Sequence, residues 1–211
     1  MAQDICTYPD SGQRLINAMT DWKVVDAQGS SLRTGRLPDA LLNLPPVWGE
    51  RAAAGAVLPA SDRIWTAEPP FTHPALNETL ASYDHVILGD HGGLSQFGVH
   101  LERLPPGGQS SFHHWHQTED EMIYLLSGEL TLIEEAETRM HPGDVACWPA
   151  GVPVGHHLEN RSDTPAVFLT LGTRWPTDTI HYPHHDLITQ KAGRHRRYVR
   201  RDGSLISERT I

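Results

Sequence analysis

Two histidines one residue apart, His114 and His116, are followed five residues later by Glu121 in the run GQSSFHHWHQTEDEMIYLLSG, residues 108–128. On a β-strand successive side chains alternate between faces, so a His-x-His pair presents both imidazoles on one face and Trp115 on the other. Glu121 stands just before the apolar run 122–126, which ends at the turn signal Ser127-Gly128, and a second strand-like run, 130–133, follows. Downstream, Gly143-Asp144 opens a stretch that reaches Pro149-Ala150-Gly151, with His156 shortly after and Asn160 four residues further on. Three imidazoles and a carboxylate form a nitrogen/oxygen donor set. It suits Mn, Fe, Ni, Co, Cu or Zn and not an iron–sulfur cluster. The candidate metal ligands are therefore His114, His116, Glu121 and His156.

Such a set needs strands to position it, and the flanking chain offers them. Residues 86–88 and 97–104 read as strands, the second carrying His100 and Glu102 on one face and Val99, Leu101 and Arg103 on the other. Facing inward, His100 and Glu102 would be an acid/base pair near the ligands. Half-buried strands usually turn Val and Leu inward, so the expectation is that this polar pair meets solvent. Residues 105–108 read as a tight turn into the ligand strand, and 138–141 with 145–148 as a hairpin. In that hairpin Cys147 is expected as a buried, inert thiol. Alternation from Glu121 puts Tyr124 opposite the ligand side, in a structural role. Glu119 and Asp120 are expected to solvate the loop. In the doublet 156–157, His156 is the expected ligand and His157 points the other way. The run 166–171 is apolar throughout, as in a strand covered on both faces.

These residues resemble the cupin superfamily. Its first motif, G-x5-H-x-H-x3–4-E-x6-G, is matched at Gly108, His114, His116, Glu121 and Gly128. Its second, G-x5-P-x-G-x2-H-x3-N, is matched at Gly143, Pro149, Gly151, His156 and Asn160, with four residues instead of two between Gly151 and His156. The resemblance covers residues 86–174. It implies an all-β chain, a cupin-type jelly-roll β-barrel holding one divalent transition metal such as Fe, Mn, Zn or Ni. It also implies an enzyme acting on a small oxygen-bearing substrate, a carbonyl or carboxylate compound, of dioxygenase or lyase/isomerase type. The alternative is a non-catalytic sensor module that binds a metal or small ligand, because fold does not dictate function.

The expected organisation is an N-terminal packing arm (1–83), the barrel (84–175) and a C-terminal tail with an edge strand (176–211). In the arm, Asp10 or Ser11 would cap a short helix through Met19, residues 22–27 would form a strand, and 38–43 a second short helix. Trp22, Trp48, Ile64, Trp65 and Phe71 would need burial. In the tail, 181–187 (HYPHHDL) reads as a surface loop. Residues 194–201, with five arginines, read as a solvated edge strand; an anion grip is the functional alternative.

The chain has 211 residues, enough for one domain with an arm. Its net charge of −9 disfavours nucleic acid and anionic membranes as partners. Two cysteines, Cys6 and Cys147, make no disulfide framework and fit a reducing cytoplasm; no signal peptide is expected from the first ten residues. Trp115, turned away from the ligands, and the doubly apolar run 166–171 call for cover by the arm or a second copy, so a homodimer is expected.

Overall fold

The computed structural model describes residues 4–7, 14–18, 21–26, 28, 30–36 and 57–211. They fall into two compact units, within residues 1–47 and 48–211. In the first, β1 (Asp4–Thr7), β2 (Arg14–Ala18), β3 (Asp21–Val25) and β4 (Ser31–Arg36) form an antiparallel sheet in that order. Arg14–Ala18 is thus a strand, where a helix through Met19 was expected. Each of its residues pairs with β3, and ladder bonds to two neighbours outweigh the weak helical preference of a five-residue stretch. The expected helix over 38–43 and Trp48 lie outside the described residues.

The second unit begins with β5 (Thr66–Glu68), β6 (Phe71–Thr72), β7 (Thr79–Leu80), β8 (Tyr83–Val86), a one-turn helix α1 (Leu88–His91) and β9 (Phe97–Leu104). Then come β10 (Trp115–His116), β11 (Glu121–Ser127), β12 (Leu130–Ile133), β13 (Glu137–Met140), β14 (Val145–Trp148), β15 (His157–Glu159) and β16 (Ala166–Thr173). The chain closes with β17 (Thr177–Tyr182), β18 (Leu187–Ala192), β19 (His195–Val199) and β20 (Leu205–Thr210). One wall is the sheet β14-β11-β16-β9-β8-β5; against it stand β13-β12-β15 and β10-β17-β18-β19-β20. Isolated bridges Gln109↔Glu159 and His114↔His156 join these last two sheets through residues 109–116. The all-β jelly roll expected from the motifs is what the chain forms.

Alternation decides what fills the barrel. Leu104, Ile123, Leu125, Leu130, Leu132, Met140, Trp148, Leu158, Ala166 and Phe168 form one buried cluster. Each large side chain buried there contributes roughly 1.5–3 kcal/mol. Leu104 points into this core, so Glu102 and His100 at two-residue steps share its face. The Glu102 side chain, expected to meet solvent, therefore looks inward and is 12% exposed, while His100, 38% exposed, opens on a cavity. Leu101 is buried as well, on the opposite face, so both sides of β9 are covered and the inward-Leu rule loses its force.

Other expectations change for equally local reasons. Cys147 is exposed, because β14 is an edge strand whose odd positions, Val145 and Cys147, face outward while Trp148 faces the core. Ile64 is also exposed, in the irregular stretch before β5, whereas the Trp65 ring is covered by the Arg103 guanidinium at 4.6 Å. Trp115 stacks on His181 at 3.9 Å with 5° between planes, so β17 supplies the cover for which a partner was invoked. Residues 176–211 contribute four strands of a five-stranded sheet. The arginine-rich run lies on β19, an interior strand, and β20 forms the edge.

Two loop residues close the barrel. Gly128, at φ +80°, sits where a Cβ would lie 2.7 Å from the Pro165 oxygen and the Ala166 Cα, so both backbone angle and space exclude other residues. Asn160 is fully buried. Its amide donates to the carbonyls of Leu104 (2.9 Å) and Thr164 (2.8 Å), and its oxygen accepts from the Ser162 N–H (3.0 Å) and hydroxyl (2.7 Å). Asn160→Ala should destabilise the protein by about 3 kcal/mol, since it strands several buried partners. Urea unfolding measures this, and a loss below about 1 kcal/mol would show that water replaces the amide.

Candidate metal centre

His114 and His156 are direct antiparallel partners: the His114 N–H donates to the His156 carbonyl at 3.2 Å, and the reverse bond is 3.0 Å. This bridge brings together residues 42 positions apart in the chain. The lengthened turn after Gly151 does not displace His156, because the Gly151 N–H donates to the His116 carbonyl at 2.9 Å and ties the turn to the ligand strand. Glu121 enters from β11 on the opposing wall.

Of the four expected ligands, His114, His116 and Glu121 place their ligand atoms within 4.8 Å of one another, and His156 meets this group through Glu121. His114 Nε2 lies 3.1 Å from His116 Nε2, and Glu121 Oε2 lies 3.8 Å from each of them and 3.2 Å from His156 Nε2. His157 turns away, its Nδ1 3.1 Å from His113 Nδ1 and its Nε2 3.1 Å from Glu159. The histidine-rich turn at 181–187 adds no ligand group of three among the described residues; His184 stacks on His113 instead. Gly155 makes room for that packing, since a Cβ there would lie 2.5 Å from the His113 ring.

Each converging imidazole has its other nitrogen facing an acceptor. His114 Nδ1 donates to the Phe112 carbonyl at 2.7 Å, His116 Nδ1 to Asp178 at 2.6 Å, and His156 Nδ1 faces the Val154 carbonyl at 3.4 Å. This pattern leaves the Nε2 lone pairs of His114 and His116 for the centre, the arrangement of metal-ligating histidines, while His156 Nε2 lies within hydrogen-bond range of Glu121 Oε2 at 3.2 Å. Trp148 stacks on the His156 ring at 3.7 Å, and its indole N–H donates to Glu134 at 2.8 Å, which locks the ring plane.

The protonation states agree. Burial holds His114 down to about 4 against the pull of Glu121, so it is a neutral ring at neutral pH. Burial would raise Glu121, but the hydrogen bond from His156 and the neighbouring imidazoles hold it at about 2. For His116 burial is outweighed by Asp178 and the charges of Glu121 and Glu119, and its pKa rises. Burial is likewise outweighed at Asp178, which stays at about 2 through its bonds to His116 and Thr118. A neutral ring at His114 and an ionised carboxylate at Glu121 are states that a divalent transition metal requires, and His116 must release its proton to join them; a donor set of imidazoles and a carboxylate fits such an ion.

Asp178 could not be found from sequence. It lies 62 residues from His116, in a strand that carries no motif, and its buried carboxylate accepts from the Thr118 N–H (2.9 Å) and hydroxyl (2.8 Å) as well as from His116. Glu119, expected to solvate its loop, is instead mostly buried, accepting from the Trp175 N–H at 2.8 Å and pairing with Lys191. Both contacts tie the ligand loop to the C-terminal sheet. Two cavities flank the centre. One, about 310 Å³, is lined by His114 and His116 together with Phe71, Tyr182, Arg196 and Arg209. The other, about 210 Å³, is lined by His100, His116, Glu121 and Arg174. His116 borders both, so the ligand cluster lies at their junction.

Comparison with known proteins agrees with this geometry. Residues 100–172 match the family model described as a cupin domain. A crystal structure from Silicibacter pomeroyi DSS-3, described as a sugar phosphate isomerase from a cupin superfamily, is 39% identical. The match covers 72% of this chain and 96% of that one, with a TM-score of 0.65. The chain belongs to the cupin superfamily. A structure from Acidithiobacillus ferrooxidans, described provisionally as a sugar phosphate isomerase, is 28% identical over 69% of this chain and 92% of that one, with a TM-score of 0.62. No curated protein matches the chain. No helix among the described residues is long and apolar enough to cross a membrane.

Three outcomes test the centre. His156→Ala should abolish metal retention while His157→Ala keeps it, read by elemental analysis of untagged protein; equal retention in both would remove His156 from the set. Asp178→Asn should weaken metal binding about 10–100-fold, as second-sphere changes do. Protons compete for the imidazoles, and His116, with its raised pKa, is protonated first. Metal content should therefore fall as pH drops towards and below 6.5, the ordinary histidine value.

Proposed function

We propose that this cupin is a metal-dependent isomerase that moves a carbonyl group between adjacent carbons of a small hydroxy-carbonyl substrate. The observation that carries this reading is an acid/base pair beside the ligand cluster but outside it. His100 lines the smaller cavity with His116 and Glu121, and its Nδ1 lies 4.0 Å from Glu102 Oε1. Burial raises Glu102 to about 7, aided by the charge of Glu121 and opposed by a hydrogen bond from Thr170. Burial, with Arg174 nearby, lowers His100 and leaves it neutral at neutral pH. Neutral His100 can accept a proton and Glu102, poised near neutrality, can hold or release one, which is what isomerisation needs. The sugar phosphate isomerase descriptions of the two similar structures support the same class.

A metal held by His114, His116, Glu121 and His156 would supply Lewis acidity towards the substrate carbonyl. The protein groups then carry the protons. His100, on the cavity wall, takes the proton from the carbon next to the carbonyl, and the electron pair of that C–H bond forms the enediol double bond. Glu102, buried behind His100, offsets the positive charge the ring gains. His100 delivers a proton, which exchanges with solvent while the ring holds it, to the former carbonyl carbon, and the hydroxyl and carbonyl oxygens exchange their proton, so the product is an isomer and nothing is consumed. The inward face of β9 thus acts through His100 directly and through Glu102 by way of His100.

The test is solvent deuterium incorporation at the carbon next to the carbonyl, followed by NMR on metal-loaded protein with aldoses, ketoses and their phosphates. His100→Ala should slow exchange by at least about 100-fold. Glu102→Gln should shift the pH profile, removing the limb near pH 7. Dioxygen uptake with no deuterium exchange would replace this reading with a dioxygenase.

A further inference from the structure

The larger cavity carries a second feature among its lining residues. Arg196 on β19 and Arg209 on β20 are direct cross-strand partners, and both line the cavity that reaches His114 and His116. Like charges placed directly opposite in a sheet repel and destabilise it. On the other face of the same hairpin this is avoided: Arg197 stands opposite Glu208 and lies 3.7 Å from it. On the cavity face neither arginine has a carboxylate partner among the described residues, in a chain whose net charge is −9.

The Arg196 guanidinium is held by backbone carbonyls, and Arg209, an exposed residue, lies near two aromatic rings. Arg196 donates from one terminal nitrogen to the carbonyls of Gly193 (2.6 Å) and His195 (3.0 Å), which fixes the side chain and leaves its other N–H groups free of carboxylates. Arg209 lies 5.8 Å from the centre of the Phe71 ring and 5.9 Å from that of Tyr198, within cation–π range of two rings that line the cavity. The nearby His73 is buried among Phe71, Phe112, Tyr182 and Tyr198, and burial together with Arg209 keeps it uncharged, at about 4. The one carboxylate lining this cavity, Glu68, faces His85 at 3.8 Å.

We infer that Arg196 and Arg209 form an anion site for a phosphomonoester, placed so that the rest of the substrate extends to the junction at His116. A phosphomonoester carries a charge near −2 and three acceptor oxygens, enough to engage two forked guanidiniums and remove their repulsion. A cavity of about 310 Å³ is at the small end of ligand-site volumes and suits a small phosphorylated compound. The site rests on the isomerase reading only for the identity of the rest of the substrate.

Calorimetric titration of the full-length protein with inorganic phosphate tests the site by itself. Arg196→Gln and Arg209→Gln should each weaken phosphate binding by about tenfold or more, as loss of a charged hydrogen-bonding partner does. Arg197→Gln, on the opposite face, should not change it. Unfolding midpoints without phosphate establish that the variants fold. No phosphate binding to the unaltered protein, or equal binding by all variants, overturns the site. Deuterium exchange into glucose 6-phosphate against glucose separates the two proposals. Phosphate binding that depends on both arginines, without exchange into any aldose phosphate, upholds the anion site and removes the isomerase. Exchange that is equal for phosphorylated and free sugar, and unaltered in both variants, keeps the isomerase and overturns the anion site.

Discussion

An imidazole can aim one nitrogen at a point only when its other nitrogen is satisfied elsewhere, and the centre of this protein depends on that constraint. Three rings turn their Nε2 atoms towards one carboxylate because Phe112, Val154 and Asp178 face the three Nδ1 positions. Two of those acceptors are backbone carbonyls two residues from the ring they hold, so the local chain path orients His114 and His156. The third comes from β17. The C-terminal sheet is therefore part of the site's construction: β10 pairs with β17, Asp178 holds His116, and Lys191 on β18 holds Glu119.

Burial then sets the chemistry. Within one barrel interior the same cause, loss of water, has different results according to the neighbours. Glu121 stays ionised because imidazoles surround it, whereas Glu102 is raised by burial to about 7. His114 is a neutral ring, and His116, bonded to Asp178, holds a proton more tightly. The interior of the barrel thus separates groups suited to holding a cation from groups suited to moving a proton, using only three residue types.

The C-terminal hairpin shows a parallel division between its faces. Where Arg197 meets Glu208 the charges are matched and the pair is ordinary sheet surface. Where Arg196 meets Arg209 they are not, and that face borders the cavity. The strand cost of an unmatched pair is consistent with a ligand, and not the protein, supplying the counter-charge.

The candidate ligand set was legible in the sequence because short-range rules govern it. A two-residue step keeps His114 and His116 on one face, a glycine turn marks the end of β11, and the spacing from Asn160 picks His156 over His157. The strands 97–104, 130–133 and 145–148 were readable for the same reason, since alternation and turn residues act within a few positions. What the tertiary structure alone decided is which faces are covered. Glu102 could not be placed inward from sequence, because β9 buries both faces and alternation then carries no direction. Cys147 could not be placed outward, because whether β14 is an edge depends on which strands pair across the chain. Asp178, Glu119 and the Arg196–Arg209 pair took their roles from partners 13 to 72 residues away. An isolated carboxylate or arginine in a strand has the same local signature whether it faces solvent or a binding site, and only long-range strand pairing distinguishes the two.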